Sequence, residues 1–431
     1  MCLVNLEFVD LSNNKLTGGV SNCLFTNCSE LYVLKLSNNN LGGSILGGAS
    51  DLSIGIAIYL DSNNFTGALP NNLTGNIKIM DLHDNKLSGK LDVSFWNLLS
   101  LQVLSVANNI LTGEISPTIC NLTGLQFLDM SDNNFEGPIP NCDSKLTLRF
   151  LNMSSNTLSG FLNAFCKSTK VNVLDLRYNQ FMCGLDWIHH LSHIRILLLG
   201  WNKFGGHISP SLCQLKYLNI IDLSHNRLSG LLPPCIGGIS FGFYDYDYVF
   251  YSVRSGFSGI GFSLGYASPF FNYNIAYDLQ GFTFSTKGNL YTYGRGFFDL
   301  MSGIELSANM LSGEIPWEIG NLSHLKSLNL SHDSFTGQIP ATFANISAIE
   351  SLDLSYNQLS GPIPWQLTQL WSLEVFSVAY NNLSGCIPNS GQFGSFNMES
   401  YMGNANLHNL SQGNRCSPIP SPEEGADVGI C

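Results

Sequence analysis

Apolar residues in this chain fall into a fixed pattern, Leu-x-x-Leu-x-Leu, then Asn three residues on, then Leu-x-Gly-x-Ile-Pro. The pattern repeats fourteen times. With Leu101 as position one of its repeat, Leu104 is position four, Val106 position six and Asn109 position nine. Sixth positions run from Leu11 to Val378, and every ninth position from Asn14 to Asn381 is Asn except Asp333. Neighbouring repeats are 22 to 25 residues apart, apart from one step of 83 between Leu223 and Leu306.

The alternation around positions four to six predicts a short strand with one face turned inward. Strands of successive repeats then pair in parallel. An Asn at a buried position needs a polar reason. Its amide can serve the backbone where the chain leaves the strand, and stacked copies form a ladder. Asp333 accepts such bonds but donates none, so the ladder is weaker there. The Gly permits a tight bend, and Ile-Pro closes the unit. One unit cannot bury its apolar face alone, so stability has to come from stacking.

The long step marks an insertion. We divide the chain into ten repeats (1–233), an island (234–300), four repeats (301–388), a cap (389–416) and an acidic stretch (417–431). The island holds 20 of the 43 Phe and Tyr residues, including Phe241-Gly242-Phe243-Tyr244-Asp245-Tyr246-Asp247-Tyr248. A disordered linker is poor in aromatics, so the island is expected to fold against the coil. Packing accounts for most of its rings, and a Tyr-rich contact surface is the functional reading.

Composition narrows the role. Charged residues are 12% of the chain against 44% apolar, and the net charge is −12, which argues against nucleic acid as partner. No apolar run is long enough to span a membrane, and Met1-Cys2-Leu3 opens without the basic and apolar regions of a signal peptide, so none is expected in this sequence. Yet ten glycosylation sequons occur, at Asn27, Asn64, Asn72, Asn121, Asn152, Asn321, Asn329, Asn345, Asn382 and Asn409. They point to a secreted chain whose targeting segment is missing. Asn152 and Asn329 fall on strand positions, where glycans would keep partners away. The chain also starts inside a repeat and lacks a polar N-terminal cap. We therefore expect a truncated product whose first coil frays, seen as fast hydrogen exchange.

Leu311-Ser312-Gly313-Glu314-Ile315-Pro316 and Leu359-Ser360-Gly361-Pro362-Ile363-Pro364 resemble the plant-type leucine-rich-repeat family. The island, the four repeats after it, and a tail from Ser390-Gly391-Gln392-Phe393 to Ser400-Tyr401-Met402-Gly403-Asn404 narrow this further. Together they resemble the ectodomain of a plant receptor-like protein. The resemblance implies a leucine-rich-repeat solenoid with one long parallel sheet on its concave side. It implies a single-pass receptor at the plasma membrane, without a kinase domain, whose extracellular part binds a peptide or protein and recruits receptor-kinase co-receptors in immune or developmental signalling. Membrane attachment would come only through a segment this chain lacks. A soluble inhibitor of a microbial wall-degrading enzyme is the alternative, but such proteins are shorter and lack an island. Where the family has Leu-Cys-Gly in its cap, this chain has Leu407-His408-Asn409, which puts the cap's cysteine pairing in doubt.

Site candidates follow. Asp175, Arg177, Tyr178, Arg195 and Trp201 interrupt the Ser, Asn and Asp of the concave strands and are expected to contact ligand. Lys287 and Tyr293 match the family's Lys-x5-Tyr motif, which the resemblance associates with the co-receptor; His332, Tyr356 and Tyr380 lie on the same side. Cys120 and Cys213 fall at one place of their repeats, and Cys142 and Cys235 at one place of the next, so the pairs Cys120–Cys142 and Cys213–Cys235, each on adjacent coils, are predicted disulfides. Cys386 and Cys416 are a candidate bridge in the cap. His189, His190 and His193 near Cys183 fit no common zinc spacing and read as surface residues. No cofactor or metal is expected. No phosphate-binding loop, nucleophile elbow or kinase motif set occurs, so an enzyme is not expected.

Overall fold

A computed structural model of the chain describes residues 6–28, 30–45, 54–55, 57–71, 73–142, 146–162, 170–241, 281–294 and 300–408. Each of the fourteen repeats contributes one strand to a single fourteen-stranded parallel sheet, in chain order from Phe8–Asp10 to Val375–Ser377. The pairing is in register throughout; Leu104 faces Leu128, and Leu128 faces Leu151. The insertion does not interrupt it. Ile220–Asp222 pairs directly with Gly303–Glu305, so repeat eleven stacks on repeat ten as though the chain between them were absent.

The ladder of position nine has the geometry its chemistry suggests. Asn109 donates to the carbonyls of Val106 and Ala107 in its own turn and of Leu82 in the turn before, at 3.0 to 3.1 Å. Its Oδ1 accepts from the Leu87 amide at 2.9 Å. Each Asn thus fastens its repeat to the preceding one. Asn309 does the same across the insertion, donating to the Leu223 carbonyl at 2.9 Å. Asp333 accepts from the Leu311 amide at 2.8 Å, but its Oδ2 is buried without a partner. Burial pushes the Asp333 carboxyl up to about 7, because the neutral form loses less on leaving water. The cap adds one more rung. Asn404 donates to Val378 and Tyr401, and its Oδ1 accepts from the Leu383 amide.

Beyond the ladder the chain bends at the Gly, forms a second set of short parallel strands such as Ile110–Glu114, and closes through 3-10 turns such as Pro117–Asn121 and Trp317–Asn321. The enclosed core is a column of Leu, Ile and Phe, with Trp96 and Phe95 fully buried. In the first described coil Phe8 and Leu11 are exposed.

Both predicted disulfides form. Cys120–Cys142 and Cys213–Cys235 each join adjacent coils, with Cα atoms 5.0 and 5.8 Å apart. Cys386 is also disulfide-bonded; Cys416 lies outside the described residues. Of the sequons, Asn27, Asn121, Asn321, Asn345 and Asn382 are exposed, and Asn64 is half-buried. Asn72 and Asn409 lie outside the described residues, as do residues 242–280 of the island and the acidic stretch.

Candidate recognition surface

Three rows of side chains line the concave sheet, at positions three, five with seven, and eight. In seven of the fourteen repeats position five carries an acid or amide that accepts from a Ser two residues later. Examples are Asp129 with Ser131 at 2.7 Å, Asn152 with Ser154 at 2.8 Å and Asp353 with Ser355 at 2.6 Å. All but Asp10 are partly or wholly buried, and burial raises three of the acids: Asp222, Asp129 to about 6 and Glu305 to about 8. The sequon amides Asn152 and Asn329 belong to this row. Asn152 donates to Asp129 at 3.3 Å, and Asn329 to Glu305 at 2.9 Å. A glycan on either nitrogen would disrupt those bonds.

In repeat eight the serine's place is taken by Arg177, and the row changes use. The guanidinium grips Asp175 through Nε (3.0 Å) and Nη2 (2.5 Å) and stands 3.9 Å from Asp222. It also donates to the Thr283 carbonyl (2.7 Å) and hydroxyl (2.9 Å). Burial works against its charge, but the two carboxylates hold it firmly protonated. Gly200 stands between these repeats, and a Cβ there would lie 2.6 Å from Asp222. The expectation that Asp175 and Arg177 face a ligand is therefore corrected. Both are 5% exposed and hold the island in place. Their residue types suggested exposure because the sequence does not show what covers them.

Thr283 lies in a hairpin within the island, Gly281–Thr286 with Asn289–Gly294. Lys287 and Gly288 form its two-residue turn, both with positive φ, as such tight hairpins require. Phe282 and Phe284 turn down onto the concave sheet and join an apolar row at position three that runs from Val33 through Phe127, Phe150 and Ile196 to Ile220. After the island this position becomes Gly303, Ser327 and Ser351. The small residues make room. A Cβ on Gly303 would collide with the Phe284 ring, and the Ser351 hydroxyl accepts from the Lys287 amide at 3.2 Å. Sequence reasoning missed this seat, although the change from Val, Ile and Phe to Gly and Ser at one position was its signal.

The hairpin carries the Lys-x5-Tyr pair at its two ends, Lys287 in the turn and Tyr293 opposite Phe282 at the root. The Lys287 ammonium bridges Glu350 and Glu374, both at 2.8 Å, and hydrogen bonds to these two acids raise its pKa. Tyr293 stacks on Phe282 with ring centres 5.3 Å apart. Both residues line a cavity of about 370 Å³ with Tyr291, Met301 and Lys326.

Position eight lies at the edge of the sheet and has φ between 48 and 57° in all fourteen repeats. In this left-handed region Asn and Asp are at ease and bulky residues are outliers. Nevertheless, two ring stacks occupy it. Trp201 lies between Tyr178 (5.6 Å) and His225 (3.7 Å). Tyr356 lies between His332 (4.1 Å) and Tyr380 (4.4 Å). Ala308 separates the two groups. Tyr178, Trp201, Tyr356 and Tyr380 are each more than 40% exposed. His225, which the sequence reading did not name, completes the first stack. Arg195 sits half-buried at position two, at the far end of its strand from Trp201, so it is not part of that stack. His189 and His190 belong to the 3-10 turn Asp186–His190, away from the concave sheet.

No helix among the described residues is long and apolar enough to cross a membrane. Leucine-rich-repeat sequence profiles match residues 304–359, 5–28, 76–98, 100–122, 124–146 and 217–239. The chain is 39% identical over 343 residues to Cuscuta receptor 1 from Solanum lycopersicum, covering 75% of this chain and 30% of that protein. It is 29% identical over 331 residues to Receptor-like protein 35 from Arabidopsis thaliana, covering 74% and 30%. It thus spans under a third of the length of these relatives. Among solved structures, PEPR1 with AtPEP1 superposes with a TM-score of 0.64 at 25% identity, over 93% of this chain and 52% of that one. The ectodomain of the Arabidopsis receptor kinase HAESA with an IDA peptide hormone gives 0.57 at 23% identity, over 94% and 75%. The repeats, the sheet they build and these relatives place the chain among the plant leucine-rich-repeat receptor-like proteins.

Proposed function

We propose that this chain is the ligand-recognising part of a cell-surface receptor, and that the two ring stacks at position eight are its contact surfaces. One observation carries the reading. Bulky aromatic side chains, exposed and stacked, occupy backbone positions that disfavour them, and such strain persists where function requires it. Exposed Tyr and Trp are also the side chains that dominate binding energy at interfaces. In this reading the stack centred on Trp201 takes a peptide or protein ligand. The stack centred on Tyr356, together with Lys287 at the hairpin tip and Tyr293 further along the same strand, takes a receptor-kinase co-receptor. The hairpin runs along the other end of the strands, rooted in repeat eight and reaching Glu350 and Glu374 of repeats thirteen and fourteen. Recruitment thereby leads to signalling at the plasma membrane, with this part of the receptor outside the cell.

The ectodomain of SERK1, the co-receptor found with HAESA in one solved complex, serves as the probe for the second stack. Biosensor binding is measured with and without an extracellular plant extract as ligand source. The wild-type chain is expected to bind, at least with extract. Tyr356→Ala with Tyr380→Ala should weaken binding at least tenfold under both conditions, while Trp201→Ala should remove only the extract-dependent gain. No binding by the wild type under either condition would sink the reading.

A further inference from the structure

In repeat four, as in repeat eight, the serine of position seven is replaced, here by His83. The result is a cluster at the opposite end of the coil from the hairpin. The His83 Nδ1 donates to Asp81 Oδ1 at 2.6 Å, since an ionised carboxylate can only accept. Burial works against a charged ring, but the bond to Asp81 and the charges of Asp61 and Asp84 raise the His83 pKa to about 9, so an ion at Nε2 takes the place of a proton. Nε2 faces Asp61 Oδ2 at 4.0 Å and Asp84 Oδ2 at 3.8 Å. One donor atom each from Asp61, Asp81 and His83 lies within 4.8 Å of the others. Asp61 is itself held by the Ser37 hydroxyl. A second observation concerns Tyr59, whose backbone is the register partner of Asp81. It is 7% exposed, and its hydroxyl has no hydrogen-bond partner while lying in the field of Asp81 and Asp61. A buried phenol facing carboxylates without bonding to them leaves its oxygen available.

We propose that these residues form a binding site for one divalent transition-metal ion of the zinc class, bridging repeats three and four. His83 Nε2, Asp61 and Asp84 supply the ligands, and Asp81 orients the imidazole from behind. A carboxylate–imidazole–metal relay of this kind raises the ligand's basicity and sets the ring. The two distances from Nε2, 4.0 Å to Asp61 and 3.8 Å to Asp84, exceed the roughly 3.3 Å edge expected for tetrahedral zinc with bonds near 2.0 Å. Asp84 holds the Asn108 amide with Oδ1 at 2.6 Å and presents Oδ2 to Nε2, so closing the site requires this exposed side chain to shift inward. The Tyr59 oxygen stands beside the fourth position, hydrogen-bonding a metal-bound water or another incoming ligand. A nitrogen donor together with few oxygens favours zinc over calcium, which takes six to eight oxygens.

The test is isothermal titration of the whole chain with ZnCl₂ and, separately, CaCl₂. One zinc site is expected, with calcium at least a hundredfold weaker. His83→Asn should abolish that site. Asp84→Asn, a half-exposed change that leaves the fold intact, should weaken it at least tenfold. The triple variant His189→Ala, His190→Ala and His193→Ala should leave it unchanged. The proposal is overturned if zinc does not bind, if zinc binding survives both His83→Asn and Asp84→Asn, if the triple variant removes it, or if calcium binds as tightly as zinc.

Discussion

The hairpin is anchored by a cation at each end, and the two anchors differ. At its root, on the ten-repeat block, Arg177 is buried, forked onto Asp175 and bonded twice to Thr283. At its tip, on the four-repeat block, Lys287 reaches two glutamates at a surface where Glu374 is 61% exposed. A buried charge is costly to leave unpaired, whereas an exposed pair gains little over water. One block therefore holds the hairpin permanently, and the other holds it by a contact that a partner or salt can replace. The same contrast appears in the ladder, which is fully amidated through the ten-repeat block and interrupted by Asp333 in the four-repeat block.

Breaking the root should have the largest effect. Arg177→Ala leaves Asp175 and Asp222 buried without a counter-charge, which is expected to cost about 3–5 kcal/mol. Denaturant unfolding reads the loss, and hydrogen exchange should show the hairpin amides losing protection first. Arg177→Lys keeps the charge but not the fork and should fall between the two. An unchanged unfolding midpoint in Arg177→Ala would remove the distinction between the anchors.

Repairing the ladder comes next. Asp333→Asn restores the donors that its neighbours have and should stabilise the four-repeat block by about 1 kcal/mol at neutral pH. The sign with pH is fixed by the shift. An acid whose folded pKa lies at about 7, above the unfolded value of 3.8, binds its proton more tightly when folded. Its contribution is therefore greatest in acid and declines as pH rises from about 4 through 7. Asp333→Asn should remove that share of the slope, leaving the shares of Glu305 and Asp129, which have the same sign. A steeper slope in the variant would show the assignment to be wrong.

Loosening the tip should have the smallest effect. Lys287→Ala is expected to change stability by about 0.2–1 kcal/mol, with the difference fading in high salt. Exchange at the turn amides should quicken while those near Thr283 stay protected. Equal loss at both ends would mean that the hairpin opens as one piece.

The sequence made the coil legible because its physics is local and repeated. Leu, Asn and Gly at fixed spacing left one solution, and the recurrence of one cysteine pair, Cys120 with Cys142, in the same places as Cys213 with Cys235 marked two disulfides. Tyr178, Trp201, His332, Tyr356 and Tyr380 were also found, since they break a repeated pattern at one position. Asp175 and Arg177 broke it too but proved to be buried, because their partner Thr283 comes from 106 residues further along the chain. Repeat statistics carry no information about such a contact. The Asn404 rung escaped notice because Gly403-Asn404 was read only as a tail motif and not as one more turn of the ladder.

A coil of fourteen three-residue strands is a compliant spring, since each repeat touches only its neighbours and small changes of pitch add along its length. The hairpin touches repeats that are not neighbours. Fixed at Arg177 and tied at Lys287, it spans part of the arc as a chord spans a bow, and while both ends hold, the radius of that part is set. Releasing Lys287 frees the last four repeats to change curvature without breaking a single rung.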